Sequence, residues 1–286
     1  MNNMSSGVEL VRRGFVDVPG GQIHYRYAGS KEASPIVLIH ASPGSSKSLE
    51  PLIKAFAQRR RVIAPDTMGN GDSTADKMPV QPEISYFAEK ALEALQCLGI
   101  KKFDLYGTHT GGSIAAEMAI QVPERIRHLV IDGIGLYPED LQRELLERYA
   151  PEMKPDLHGT HITWAWHFVR DTYLFWPWYC TDAAHRRHIG LPSPLALHDK
   201  VLDVLKAIKT YHLSYRAAFR YDKRSRFPLI KVPTLALCAA DDMLSQWHGE
   251  FAALISDSVK AVVPGIAVDP DATAEVIERF LTEGDA

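Results

Sequence analysis

Short apolar runs alternate with stretches of helical period along most of this chain, and that alternation restricts it to an α/β architecture. PIVLIH (35–40), RRVIAPD (60–66), FDLYG (103–107), HLVIDG (128–133) and PTLALCAA (233–240) are short and mostly apolar, the pattern of strands covered on both faces of a parallel sheet. KAVVPG (260–265) is a weaker candidate of the same kind. Between them, residues 48–57 and 82–98 read as helices, the second with Ile84, Phe87, Ala88, Ala91, Leu92, Leu95 and Leu98 on one face. The small residues of THTGGSIAAEMAIQ let a helix lie close on a sheet, and residues 270–281 close the chain as an amphipathic helix. GFVDVPGGQIHYRYAG predicts an antiparallel opening hairpin that turns at Gly20–Gly21.

Residues 136–227 break this rhythm. The segment is dense in aromatics and histidines (TWAWHFVRDTYLFWPWY), followed by one helical pattern through Val201, Val204, Leu205, Ile208, Tyr211 and Tyr215. We expect a helical cap inserted into an α/β core of residues 1–135 and 228–286. Insertions at the carboxyl edge of a parallel sheet commonly cover a ligand crevice. Trp164, Trp166, Trp176 and Trp178 are therefore candidate substrate contacts, with a satellite core as the alternative use of the same rings.

At 286 residues and 46% hydrophobic, the chain can bury a core without metal or disulfide support. A net charge of −3 and no basic stripe argue against nucleic acid as a partner. The three cysteines are scattered and form neither a disulfide framework nor a zinc pattern, which fits a reducing cytoplasm. The start has no apolar core of signal-peptide length, and no run has the length of a membrane span, so no membrane is expected. The expected partner is a small-molecule substrate, with room for a homo-oligomer. No metal and no organic cofactor is implied.

Three signatures stand in order. IVLIHASPGSS resembles the strand and loop that build the oxyanion hole of the α/β-hydrolase family, DTMGNGDS resembles that family's D-x-x-G-x-G-x-S turn, and YGTHTGG sits where the family places its nucleophile elbow. The resemblance covers nearly the whole chain and is closest to the capped subgroup of dehalogenases, epoxide hydrolases, C–C bond hydrolases and esterases. It implies a mostly parallel central sheet flanked by helices, with backbone N–H groups of Ser42 and Thr110 as the oxyanion hole. It implies an acid at Asp242 in LCAADDML, with Asp241 beside it, and Asp132 as an alternative acid position.

The chain departs from the family at two places. His109 stands where the family has Ser, Asp or Cys. KAVVPGIAVDPDAT runs from Gly265 to Asp269 with no histidine, so the family's general base is missing. The two departures fit one another. A serine needs an external base, whereas a neutral imidazole already carries a lone pair. The helix N-terminus behind the elbow should lower the His109 pKa and favour that neutral form.

Three readings follow. His109 is the central group of a small-molecule hydrolase acting on an apolar or aromatic ester, lactone or similar carbonyl compound, as base or as nucleophile. Alternatively, it moves a proton at carbon in a cofactor-independent lyase, decarboxylase or isomerase. Or the chain is a non-catalytic binder. The Ser42 hydroxyl is a further candidate, as a relocated nucleophile meeting His109. His40, Asp66, Gly69 and Ser73 read as structural, His185-x-x-His188 with Arg186 and Arg187 as a solvated basic turn, and Ser113 as packed. His161 and His167 read by default as surface or capping residues with substrate contact as the alternative, and His248 could replace the missing base only if its helix aimed it inward.

Overall fold

The computed structural model describes residues 10–283. The strands are β1 (Arg12–Val18), β2 (Gly21–Ala28), β3 (Pro35–Ile39), β4 (Arg61–Pro65), β5 (Phe103–Thr108), β6 (Ile126–Asp132), β7 (Thr234–Ala239) and β8 (Ser258–Val263). They form one sheet in the order β1-β2-β4-β3-β5-β6-β7-β8. The β1–β2 and β2–β4 pairings are antiparallel, and every later pairing is parallel. The opening hairpin turns one residue earlier than expected, because Gly20 takes the left-handed conformation (φ 92°) and Gly21 already pairs with Val18.

The helices are α1 (Glu50–Ala57), α2 (Ile84–Cys97), α3 (Thr110–Gln121), α4 (Glu139–Arg148), α5 (Thr160–Leu174), α6 (Pro194–Lys206), α7 (Tyr211–Arg220), α8 (Lys223–Arg226), α9 (His248–Ala253) and α10 (Pro270–Glu283). Alternation along β3 divides the core. Val37 and Ile39 join Phe87, Leu95 and Ile114 of α2 and α3 on one face. Ile36 and Leu38 join Ile53, Phe56 and Ile277 of α1 and α10 on the other. This two-sided covering is why these strands read as near-continuous apolar runs.

Helices α4 to α8 all fall between β6 and β7. They bury apolar side chains of their own, such as Phe168, Leu197 and Val204 around α5 and α6. The single helical pattern expected through residues 201–215 is broken into α6 and α7. Thr210 leaves helical geometry (φ −130°, ψ −19°), and its hydroxyl donates to the Gly69 carbonyl, tying the break to the loop after β4. The periodicity survives because both halves face the same interior, so it could not reveal the break.

Candidate active site

β5 runs directly into α3, and the turn between them is possible because its flanks are glycines. A Cβ on Gly111 would lie 2.3 Å from the Ile39 carbonyl oxygen, and one on Gly107 would lie 2.2 Å from that of Gly111. Between them His109 adopts φ 51°, ψ −112°, the one non-glycine residue at positive φ among the described residues. Such a conformation costs about 1–3 kcal/mol and persists where the surroundings enforce it. Here the His109 N–H donates to the Asp132 carbonyl at 2.9 Å, and its own carbonyl accepts from Ser113 N at 3.2 Å.

The imidazole Nε2 lies 2.7 Å from Asp242 Oδ2, and the other oxygen of that carboxylate accepts from Leu244 N at 2.7 Å. Burial alone would raise the Asp242 pKa. The His109 ring, the Leu244 N–H and the Arg187 charge outweigh it and hold the carboxyl below its ordinary value. An ionised carboxylate only accepts, so Nε2 carries a proton and the neutral ring has its lone pair on Nδ1. Nδ1 makes no hydrogen bond within the described chain, and the ring lines a cavity of about 260 Å³.

The pKa of His109 moves opposite to the sequence expectation. Burial of the ring disfavours its charge, but the Asp242 carboxylate in contact with it, helped by Asp132, takes the pKa above the ordinary imidazole value. A full charge at hydrogen-bonding distance outweighs the partial charge of a helix end.

Asp132 does not reach the ring. Its Oδ2 accepts from the Tyr106 hydroxyl at 2.6 Å, while its backbone carbonyl holds the elbow. Its carboxyl is fully enclosed, and burial raises its pKa despite the Tyr106 hydrogen bond. Asp241 is exposed. Ser42 and Thr110 both line the cavity. Ser42 N makes no hydrogen bond within the described chain, and Thr110 opens α3, where the first N–H groups have no intrahelical partner. The Ser42 hydroxyl is buried without a partner, so it does not meet His109.

Of the four candidate tryptophans, only Trp176 lines the cavity, stacked on Tyr137. Trp164 stacks on Phe168 (centroids 4.9 Å apart) in the interior of the insertion. Trp178 donates to the Tyr149 carbonyl, and Trp166, two positions along α5 from Trp164 and so on another face, is 43% exposed. The wall is instead built from Tyr137, Tyr149, Phe168, Tyr173, Tyr215 and Phe219.

The other histidines stand away from the site. His40 accepts from Thr67 N at Nε2 and donates from Nδ1 to the Ala41 carbonyl. The His248 ring bonds the Ala236 carbonyl, His185 pairs with Asp182, and His161 and His167 do not reach the cavity. His24, Asp66 and Asp72 bring ligand atoms within 4.8 Å of one another. The Asp66 carboxylate is already occupied by Ser46 N, Asp72 N and His24, a turn-building role. Ser113 lines the cavity with a buried, unpartnered hydroxyl, and Ser73 is satisfied on both sides.

Sequence reasoning missed four residues. Arg187 is not part of a solvated turn: it lines the cavity, as do Lys200 and Lys223. Lys200 sits at helical spacing between Leu197 and Val204 on the apolar face of α6, a readable signal. Gly133, at the end of β6, faces the dyad itself. A Cβ there would be 2.6 Å from His109 Cδ2 and 2.9 Å from Asp242 Oδ2.

A family profile described as the α/β hydrolase fold matches residues 34–264. A 2-hydroxymuconate semialdehyde hydrolase of Pseudomonas putida is 36% identical over 128 residues, which is 43% of this chain and 44% of that protein. The match thus spans less than half the length of that relative. A putative carbamate hydrolase of Azorhizobium caulinodans is 26% identical over 232 residues, covering 79% of this chain and 80% of the relative. Among solved structures, the enol-lactonase of Burkholderia xenovorans LB400 superposes with TM-score 0.72 at 21% identity, covering 94% of this chain and all (100%) of that one. Epoxide hydrolase A of Mycobacterium thermoresistibile gives 0.73 at 18%, covering 96% and 98%. At these identities the structures speak for the fold alone. No helix among the described residues is long and apolar enough to cross a membrane.

Proposed function

Since the chain belongs to the α/β-hydrolase fold family, we propose that it is a small-molecule hydrolase in which an Asp242–His109 pair replaces the usual nucleophile and its distant base. The observation that carries this reading is the 2.7 Å contact of Nε2 with Asp242 on a ring that lines the cavity and whose Nδ1 has no hydrogen-bond partner among the described residues. A non-catalytic histidine would have no need of both.

In this reading Nδ1 takes a proton from water as the water oxygen attacks the substrate carbonyl. The resulting imidazolium is stabilised by Asp242, which also fixes the ring and its tautomer. The tetrahedral oxyanion is held by the N–H groups of Ser42 and Thr110, each such donor typically worth about 100- to 1000-fold in rate. Collapse of the intermediate expels the alcohol, which leaves with the proton from Nδ1. Residues 136–227 act as a cap whose aromatic inner wall keeps the site dry and favours an apolar ester, lactone or related carbonyl compound. The named hydrolases among its relatives support the reaction class.

The same dyad also suits proton transfer at carbon, because the upward-shifted His109 is a stronger base than an ordinary imidazole. Hydrolysis of short aryl esters and lactones by wild type and His109→Ala tests the reading. Loss of nearly all activity in the variant is expected, and equal rates would overturn it. Deuterium exchange at substrate carbon without ¹⁸O uptake from labelled water would assign the proton-transfer chemistry instead.

A further inference from the structure

The cavity that receives His109 is walled by aromatic rings, and no aspartate or glutamate lines it. Three cations do: Arg187, Lys200 and Lys223. None of them has a carboxylate within ion-pairing distance among the described residues. Arg187 Nη1 donates to the Thr172 carbonyl at 2.7 Å, and Lys223 Nζ donates to the Ala218 carbonyl at 2.7 Å. The Lys200 side chain makes no hydrogen bond or ion pair among the described residues. Asp242 is already committed to His109, and Asp203, one turn along α6 from Lys200, accepts from the Ser45 hydroxyl at 2.8 Å.

Acids act on these cations only from beyond ion-pairing distance, Asp203 on Lys200, Asp222 on Lys223, and Asp242 and Asp241 on Arg187, so the wall carries positive charge that no contacting carboxylate neutralises, an arrangement suited to an anionic ligand. Burial lowers the pKa of Lys200 and takes that of Lys223 down to about 8, so Lys223 is still mainly protonated at neutral pH. The position of Lys200 is the more telling. Its Nζ stands 3.5 Å from where a Gly44 Cβ would be, beside the Ala41–Gly44 loop that carries the Ser42 N–H. Its charge is felt at His109. The Lys200 amine thus stands beside the loop that carries the Ser42 N–H.

We propose that the substrate is an organic acid with an aromatic or conjugated body, its carboxylate anchored by Lys200, with Arg187 and Lys223 supplying a positive lining. The inference names a substrate class for the site described above and rests on the reading of that cavity as a substrate site. The aromatic wall takes the body, and a charge-assisted hydrogen bond from Lys200 fixes the anionic end next to the oxyanion loop. Lys200 acts here in binding and orientation, and takes no proton in the reaction.

The test is titration calorimetry at pH 7 with benzoate, phenylacetate, 4-phenylbutyrate and hexa-2,4-dienoate, each against its own neutral amide. At least one acid should bind at least tenfold more tightly than its amide. Lys200→Met should lower that acid's affinity about 10- to 100-fold and leave the amide unchanged. Lys206→Met, on the exposed side of the same helix, should change neither. Acids and amides binding alike, no acid binding at all, or an acid indifferent to Lys200→Met would each overturn the proposal. Acid-selective binding with no hydrolysis of any ester or lactone leaves this inference standing and removes the hydrolase reading. His109-dependent ester hydrolysis without acid preference does the reverse.

Discussion

Gly133→Ala is the sharpest perturbation of the dyad that leaves both its members in place. The added methyl carbon would lie 2.6 Å from His109 Cδ2, 2.7 Å from Nε2 and 2.9 Å from Asp242 Oδ2. Carbon contacts settle near 3.5–4.0 Å, so ring and carboxylate must each retreat by up to about 1 Å. A pair now 2.7 Å apart then passes beyond useful hydrogen-bonding distance. A displacement of about 1 Å at a reacting group costs on the order of 100-fold in rate. Gly133 also sits at φ 67°, where alanine adds roughly 1–2 kcal/mol of backbone strain, and overpacking adds about 1–3 kcal/mol. At about 2–4 °C per kcal/mol, Tm should fall by roughly 4 to 20 °C. Gly99→Ala is the control. It carries the same strain (φ 70°) but a Cβ there meets nothing within 4 Å, so it should lose a little stability and no activity. Two readouts are needed: kcat/KM on an aryl ester, and the His109 Nε2–H resonance by NMR, which reports the dyad whether or not the ester is a good substrate. If Gly133→Ala keeps wild-type turnover and an unchanged Nε2–H signal, His109 and Asp242 are not paired across Gly133 and the proposed chemistry fails.

The remaining expectations concern charge. His109 must be neutral to accept a proton, and its pKa is raised by Asp242, so kcat/KM should fall as pH drops through a value above the ordinary 6.5. Asp242→Asn removes the charge that causes the shift. Its acidic limb should therefore move to lower pH while the plateau rate drops, by up to about 10⁴-fold as for the acid of a serine triad, and a pH–rate profile with an unmoved limb would refute the pairing. Far from the site, Arg60 binds Glu278 through Nε and Nη2 and Asp104 through Nη1, all buried. Arg60→Met should cost about 3–5 kcal/mol in urea denaturation by stranding Glu278, and leave the His109 resonance in place; a loss under about 1 kcal/mol would show the ion pair to be dispensable.

What could be read in advance was what is local. Strand positions follow from apolar runs such as PIVLI and TLALC, whose two faces meet different helices. The elbow follows from Gly107 and Gly111, each barred from carrying a side chain by a backbone carbonyl under 2.5 Å away, and from Gly112, where a Cβ would meet its neighbours tightly at 3.0–3.2 Å. Asp242 was legible as a strand-end acid, but the choice between Asp242 and Asp132 was not, because it depends on the Tyr106 hydroxyl capturing the second carboxyl. The tryptophans misled for a related reason. Aromatic density marks a segment that buries rings, and only the packing of α5 on α6 decides which of those rings face the cavity. Arg187 was illegible as a cavity residue because charge on a sequence defaults to solvent, whereas Lys200 was marked by its spacing between Leu197 and Val204, a signal that the same default hides.

The geometry of the sheet explains how a histidine on the elbow can take a carboxylate partner without any contribution from the loop after β8. His109 follows β5 and Asp242 follows β7, with β6 between them. Neighbouring strands lie about 4.8 Å apart, so the two backbones are separated by roughly 10 Å at the sheet edge. A side chain from each must lean over the end of β6 to meet, and an imidazole and a short carboxylate together are just long enough. The residue at that crossing point is Gly133, where a Cβ would press on both partners at once. A serine on the elbow is too short to make this crossing and would need a third group to complete the relay, whereas histidine closes it directly. The imidazole at 109, the glycine at 133 and the histidine-free stretch from Gly265 to Asp269 are on this account parts of one arrangement. Restoring a serine at 109 alone should then give an inactive protein rather than an ordinary esterase. Measurable ester hydrolysis by His109→Ser at wild-type rate would show that the base lies elsewhere.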